Sequence, residues 1–475
     1  MTVLWRAIPV LLALAGTAAI ALWLTADPTS GITERTETPT RRETVHVAAK
    51  FPGVFTKGVG VAPAGMPGAW PTFRGPNYDA VSPEETPLAR TWGPQGPKVL
   101  WAAPMGTGYA GPAILNGRVY VLDYDETKQA DTLRCLSLET GQEIWRRGYE
   151  IPIDPDHGIS RTVPAATEKY VVTFGPKCHV MCVDAASGDF RWGLDLVKEY
   201  RAVWPKWYAG QCPVIDGGRA ILAPAGPDVL MLAVDCETGQ VAWKTPNPHG
   251  WRMTHSSILP MDFAGRRMYV YCSTGGVTAV AAADGPAWKA GDVLWERSDW
   301  QVKFANVPTP VVAGEGLLLL SGGYASGAMM IRLKEDGARL ATEVVWRVAK
   351  SKEFGSEQQT PVFYKGSIYA ILPKEAGSLG ERLICMAPDG KHAWASEGRD
   401  RFGLGPYMIA DGLVFAMDDD GLLSLVEASP AAYKRLAQAK VLDGHEAWAP
   451  MAIAGGRLLV RDLTRMVCLD VRKND

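Results

Sequence analysis

CLSLETGQEIW, Cys135 to Trp145, recurs as CVDAASGDFRW from Cys182 to Trp192 and as AVDCETGQVAW from Ala233 to Trp243. Each copy reads as the end of one β-strand, a tight turn and the start of the next. Small apolar and polar residues alternate with the period of two of a half-buried strand. Thr140-Gly141, Ser187-Gly188 and Thr238-Gly239 supply the turn, with glycine where φ must be positive. The closing tryptophan is then free to pack on the neighbouring unit. Looser copies end at Trp295, Trp346 and Trp394, and Trp101 precedes them all. Successive tryptophans from Trp101 stand 44, 47, 51, 52, 51 and 48 residues apart. A period of this length made only of strands predicts a β-propeller.

A second register supports that reading. A proline opens a short apolar strand at Pro112, Pro164, Pro213, Pro310, Pro361, Pro406 and Pro450, and Ser257 fills the one doubled interval, which makes eight units. Proline cannot donate to a ladder, so it suits the innermost strand of a blade, an edge that lines the central channel. Asn116-Gly117, Asp216-Gly217, Lys365-Gly366, Asp411-Gly412 and Gly455-Gly456 then mark hairpins. The expected fold is all-β, an eight-bladed propeller of four-stranded antiparallel blades. The last unit ends without its tryptophan strand, while an unclaimed one stands at Val99 to Ala102. That strand is expected to complete the last blade and close the ring, removing its open edges. The seventh unit has lost its tryptophan and is the most degenerate.

Ahead of the propeller, Ala7 to Thr25 is uncharged and roughly long enough to cross a bilayer at about 1.5 Å per residue. Residues 1–26 are therefore expected to be a transmembrane anchor or a cleaved signal segment, with Thr17-Ala18-Ala19 as the cleavage candidate in the second case. Either way the body is exported: membrane-tethered on the periplasmic or extracytoplasmic side, or secreted. Residues 27–69, rich in Pro, Thr, Gly and charge, read as a disordered tether, and folded material is expected over 70–475, starting at WPTFRGPN.

Eight cysteines in an exported chain would ordinarily suggest disulfides. Yet Cys135, Cys182, Cys385 and Cys468 occupy one repeat position, held by Ala233 in the third unit, and equivalent positions in different blades do not face each other. Buried small hydrophobes are expected. Cys178 and Cys182 have no matching second pair for zinc, and His157, His255 and His445 lack metal spacing, so no metal is assigned. The balance of 49 basic against 51 acidic residues argues against electrostatic binding of nucleic acid.

The repeat resembles the PQQ-type β-propeller repeat, whose units end in ALDxxTGxxxW and which occurs both in quinoprotein dehydrogenases and in the non-catalytic outer-membrane assembly propeller BamB. From Trp70 onward the chain is also similar to the PQQ-binding-like repeat proteins abundant in planctomycete-type bacteria, through WPTFRGPN, GPKVLW ending at Trp101, NVPTPVV from Asn306 and AWAPMAIAGGRLLVRD from Ala447. The resemblance implies fold far more than activity. For a quinoprotein it implies a calcium ion on carboxylate and amide oxygens and, in the alcohol dehydrogenases, a disulfide between adjacent cysteines; this chain has no adjacent cysteines. Asn306, Glu357 and Glu446, each four residues before a strand-opening proline, are the oxygen-donor candidates for such a cofactor site; a solvated polar rim is the competing reading. Arg161, Trp204, Trp207, Tyr208, Arg252 and His255 cluster before the early inner strands. They could bind a peptide, glycan or anion at the rim, or simply pack their loops onto the ring. The expected function is a monomeric, non-catalytic binding scaffold for a protein or cell-envelope partner, without a cofactor. A PQQ- and calcium-dependent oxidoreductase is the alternative.

Overall fold

The computed structural model describes residues 13–18, 20–21, 48–154, 157–337, 339–349 and 353–473. The chain divides into two units, Met1–His46 and Val47–Asp475, and the second is the propeller. Its strands form eight antiparallel sheets, seven of four strands and one of five. The innermost strands of blades 1 to 8 are Ala113–Leu115, Ala165–Ala166, Val214–Asp216, Leu259–Phe263, Val311–Val312, Val362–Tyr364, Tyr407–Ala410 and Ala452–Ala454. Six begin at the residue after the predicted proline; in blade 8 Met451 intervenes, and in blade 4 the strand begins two residues after Ser257. The turn of blade 3 differs by one residue from expectation. Its left-handed pair is Gly217 (φ 56°) and Gly218 (φ 76°), because a type I′ turn needs positive φ at both central positions and Asp216 still belongs to the strand.

The founding motif explains how blades dock. In blade 1, Cys135 on Ala130–Ser137 lies directly opposite Trp145 on Glu143–Glu150, and the same cross-strand pair recurs as Cys182 with Trp192, Ala233 with Trp243, Cys385 with Trp394 and Cys468 with Trp101. The small residue leaves room for the indole. Four of these five indoles donate to the next blade, Trp101 Nε1–H to Leu138 O (2.9 Å), Trp145 to Ala186 O (3.0 Å), Trp192 to Cys236 O (3.0 Å) and Trp394 to Ser429 O (2.8 Å), while the Trp243 ring stacks on Tyr269 of blade 4. The turn glycines complete the joint. Gly141 (φ 70°) and Gly188 (φ 73°) lie so close to the preceding blade's tryptophan that an added Cβ would stand 2.6 and 2.7 Å from the ring. All eight cysteines are buried and free.

Blade 8 takes its outermost strand from the N-terminal side of the domain: Lys98–Pro104 pairs with Arg465–Asp470. Buried Arg461 fastens this blade to blade 1, its guanidinium donating to Gly106 O (2.7 Å) and Ala110 O (3.1 Å).

Two features depart from the sequence reading. Folded material begins before Trp70: Val54–Lys57, inside the segment read as tether, adds a fifth strand to blade 1 by pairing with Glu143–Glu150. Arg147 holds it, donating to Pro52 O (3.1 Å) and lying 5.2 Å over the Phe55 ring. A Pro- and Gly-rich composition hid this strand because its four residues are exposed and carry no buried alternation. The remainder of the tether, 27–47, lies outside the described residues. So does most of the expected membrane span, of which residues 13–18 and 20–21 are helical. Among the described residues no helix is long and apolar enough to cross a membrane.

Secondly, residues 70–82 reach the inner strands of several blades. Trp70 bridges Ile114 in blade 1, Pro71 O accepts from Ala166 N in blade 2 (2.8 Å), and Val81 bridges Ile409 in blade 7. Buried Arg74 donates to Thr360 O (3.0 Å) and Pro361 O (2.8 Å) at blade 6, and burial lowers its pKa to about 10. The segment acts as a plug across the channel.

Candidate functional site at the channel mouth

The loops leading into the inner strands of every blade but the seventh bring one or both of two repeat positions to a common cavity. Three residues before the strand-opening proline stand Tyr109, Arg161, Gly210, Val307 and Gln358; two before it stand Gln359 and Trp448, with His255 two before Ser257. These residues line a cavity of about 270 Å³, and Phe73 of the plug shares in its wall. Its surface is largely aromatic. Tyr109 and Trp448 stack with ring centroids 5.2 Å apart, Arg161 lies 5.1 Å from the Tyr109 ring centroid, and Trp207 stands 6.2 Å from His157 and 6.5 Å from His255.

Trp207 is set by a lip that the sequence shapes locally. Asp195 caps the short helix Leu196–Tyr200, its carboxylate accepting from Lys198 N, and Arg201 ends the helix in the left-handed region. Trp207 (φ 66°) and Tyr208 (φ 72°) are both left-handed, a conformation that costs bulky residues of order 1–3 kcal/mol each. The surroundings compensate: Tyr208 Oη–H donates to Asp154 O (2.6 Å) and His255 Nε2–H donates to Lys206 O (2.8 Å). Burial, and then the Arg161 charge, push the His255 pKa down to about 4, so its imidazole is neutral at pH 7.

His255 is also the wall between this cavity and a second cleft of about 380 Å³. Trp204, Arg252 and Asn306 line that cleft, together with Lys206, Lys303 and Phe304. Of the rim residues read from the sequence, Arg161, Trp207 and His255 therefore meet in the first cavity and Trp204, Arg252 and His255 in the second. Tyr208 lines neither; its ring packs against the buried cluster shared by blades 1, 2 and 6 to 8. Sequence reading missed Tyr109, Gln358, Gln359, Trp448 and Phe73. For the first four the signal was present, in their fixed offset before the inner strand.

The three oxygen-donor candidates do not converge. Asn306 is 2 % exposed in the second cleft, while Glu357 and Glu446 line neither cavity. Glu446 Oε2 accepts from Tyr109 Oη–H (2.6 Å), and burial together with this carboxylate pushes the Tyr109 pKa up to about 12. Glu357 is pushed up to about 7 by burial and then by Glu375, Asp419 and Glu381. Among the described residues no group of three His, Cys, Asp or Glu side chains is placed to hold a metal ion. The residues present do not assemble the carboxylate and amide donor set that a calcium–quinone centre requires.

Eight antiparallel blades around a plugged channel define the class: the chain is an eight-bladed β-propeller. Residues 129–290 match the family model described as outer membrane protein assembly factor BamB. No curated protein matches the chain by sequence. Solved structures with the same fold include a europium-containing methanol dehydrogenase (13 % identity, TM-score 0.60, covering 83 % of this chain and 89 % of that one). BamB from Moraxella catarrhalis matches at 12 % identity and TM-score 0.53, over 78 % of this chain and 99 % of its own. Quinohemoprotein alcohol dehydrogenase from Comamonas testosteroni matches at 14 % identity and TM-score 0.58, over 86 % and 81 %. At these identities the likeness is one of fold.

Proposed function

We propose that this chain is a non-catalytic binding propeller, held on the outer side of the cytoplasmic membrane by its N-terminal segment, that engages a protein or cell-envelope partner at the mouth of its channel. The observation that carries the reading is the composition of the mouth. Tyr109, Trp207 and Trp448 with Arg161 are the residue types that supply most binding energy at protein surfaces, and they line an aromatic cavity in place of a cation site. The family-model match over residues 129–290 supports the same direction. For the quinoprotein alternative, Asn306, Glu357 and Glu446 would have to act on one ion, and they do not share a cavity.

The test is thermal unfolding of the purified protein with and without PQQ plus calcium. A ligand at about 100 times its Kd adds roughly 2.7 kcal/mol, enough to move the midpoint by a few degrees. No shift is expected, and cross-linking in cells should trap a partner through the mouth. A reproducible shift that Asn306→Ala and Glu357→Ala abolish, accompanied by calcium-dependent dye reduction, would replace this reading with an oxidoreductase.

A further inference from the structure

The second cleft has a one-sided charge pattern. The chain as a whole is balanced at a formal net charge of −2, yet Lys206, Arg252 and Lys303 line this cleft and no acidic side chain does. Among the described residues none of the three has a carboxylate partner; Lys206 Nζ instead lies 4.6 Å from the Trp207 ring centroid. Apolar surface is exposed beside them, with Phe304 at 71 % and Val203 at 47 %. The third component is Asn306, also lining the cleft, buried with both Oδ1 and Nδ2 lacking a hydrogen-bond partner. The Cys272 thiol is its polar neighbour, and a thiol is too weak a donor and acceptor to satisfy an amide.

These three features select a ligand chemistry. Unpaired cations ask for an anion, exposed Phe304 and half-buried Trp204 ask for an apolar group, and Asn306 offers one donor and one acceptor side by side. Sulfate would meet the cations but leave Asn306 Oδ1 unmet, since it only accepts at neutral pH, and phosphate, which can donate through its P–OH, brings no apolar group to Phe304 and Trp204. An N-acylated amino acid meets all three, through its carboxylate, its side chain, and the N–H and C=O of its amide. We propose that the cleft binds an N-acyl amino acid carboxylate with an apolar side chain, with Arg252, Lys206 and Lys303 facing the carboxylate, Trp204 and Phe304 the side chain, and Asn306 the amide. The same chemistry is presented by a free N-acyl amino acid and by the C-terminus of a polypeptide. The proposal rests on the reading of the chain as a binding module and assigns that module's ligand.

The experiment is calorimetric titration of the intact protein with N-acetyl-L-phenylalanine, N-acetyl-L-phenylalaninamide, and a decapeptide ending in a free phenylalanine. The acid is expected to bind and its neutral amide to bind at least about tenfold more weakly, the effect of losing about 1.4 kcal/mol. Arg252→Gln and Lys303→Gln should each weaken the acid severalfold, and raising salt should do the same. Asn306→Leu should weaken N-acetyl-phenylalanine more than it weakens 3-phenylpropionate, which lacks the amide. Tighter binding of the decapeptide identifies a polypeptide C-terminus as the source; equal binding identifies a free acid. No binding at 10 mM acid, equal binding of acid and amide, or indifference to both Arg252→Gln and Lys303→Gln overturns the proposal. Failure here with an envelope partner still cross-linked leaves the binding-module reading intact, whereas PQQ- and calcium-dependent dye reduction removes that reading whatever the titration gives.

Discussion

Asp131 shows what burial does to a single carboxyl group in this ring. It is fully buried; Tyr149 Oη–H donates to Oδ2 at 2.7 Å, and Oδ1 has no partner. One phenol does not replace the hydration of a carboxylate, so burial raises the pKa to about 7. A raised carboxyl pKa contributes stability that is fully present below the unfolded value near 4 and is lost as pH rises through about 7. The unfolding midpoint is therefore expected to fall between pH 6 and pH 8.5, and Asp131→Asn, which keeps an acceptor for Tyr149, should flatten most of that slope. The whole loss, spread from about pH 4 to about pH 7, is at most about 4 kcal/mol, and only about 1.4 kcal/mol of it falls above pH 6. Glu357, raised to about 7 but more exposed, acts in the same direction and leaves a smaller residual slope. A wild-type midpoint that does not change over this range would show that Asp131 finds solvent or a partner. The sequence gives no hint of Asp131: its neighbours alternate as any strand does, and only packing against the next blade buries it. Trp145, Cys135 and Gly188 were legible because the fold repeats their environment, so the sequence repeats them too.

At the level of elements, the plug is held by two isolated backbone bridges, at Trp70 and Val81, and by one side chain, Arg74. Arg74 satisfies carbonyls of Thr360 and Pro361 at blade 6 while also donating to Tyr78 O and Asp79 O within its own loop. Arg74→Met keeps the apolar stem but leaves those carbonyls unmet, which costs about 1–3 kcal/mol for each one that stays buried. The denaturation midpoint should drop accordingly, with the slope unchanged, and tyrosine and tryptophan fluorescence at the mouth should change because Phe73 loses its support. An unchanged midpoint would mean that the plug is held by Trp70 and Val81 alone. The strand Val54–Lys57 makes a separate prediction. Deleting residues 1–61 exposes Glu143–Glu150 as a new edge, and sedimentation should then reveal concentration-dependent self-association that the full chain does not show. Both elements were hard to read from sequence, and for one reason. Each occurs once, so neither leaves a period, and the Gly and Pro that shape the plug are the residues that mark a tether elsewhere. The site was half legible on the same principle. Arg161, Trp207 and His255 were found through their position before the inner strands, whereas Asn306 and Glu357 share a repeat offset yet reach different environments, because a loop's path after the offset is set by its own length.

On the scale of the whole molecule, pairing of Lys98–Pro104 with Arg465–Asp470 places both ends of the propeller in one sheet. Repeat arrays draw stability from neighbour interfaces, and an array with free ends frays from them. Trp101 and Trp145 make the same joint in different places: each faces a cysteine across the strand pair, donates to a carbonyl of the next blade and presses on a turn glycine. Truncating either to alanine should cost about 3–5 kcal/mol as a local cavity. The two losses should nevertheless spread differently through the ring. Trp145 joins blades continuous in the chain, so Trp145→Ala should lower the midpoint while leaving hydrogen exchange elsewhere nearly uniform. Trp101 sits on the strand that joins the two ends, so Trp101→Ala should selectively accelerate exchange of the amides in Arg465–Asp470 and Arg457–Arg461, as blade 8 opens ahead of the rest. Equal exchange patterns in the two variants would mean that the ring's ends are tied chiefly by other contacts, with buried Arg461, which reaches Gly106 and Ala110 across the same joint, the first to test.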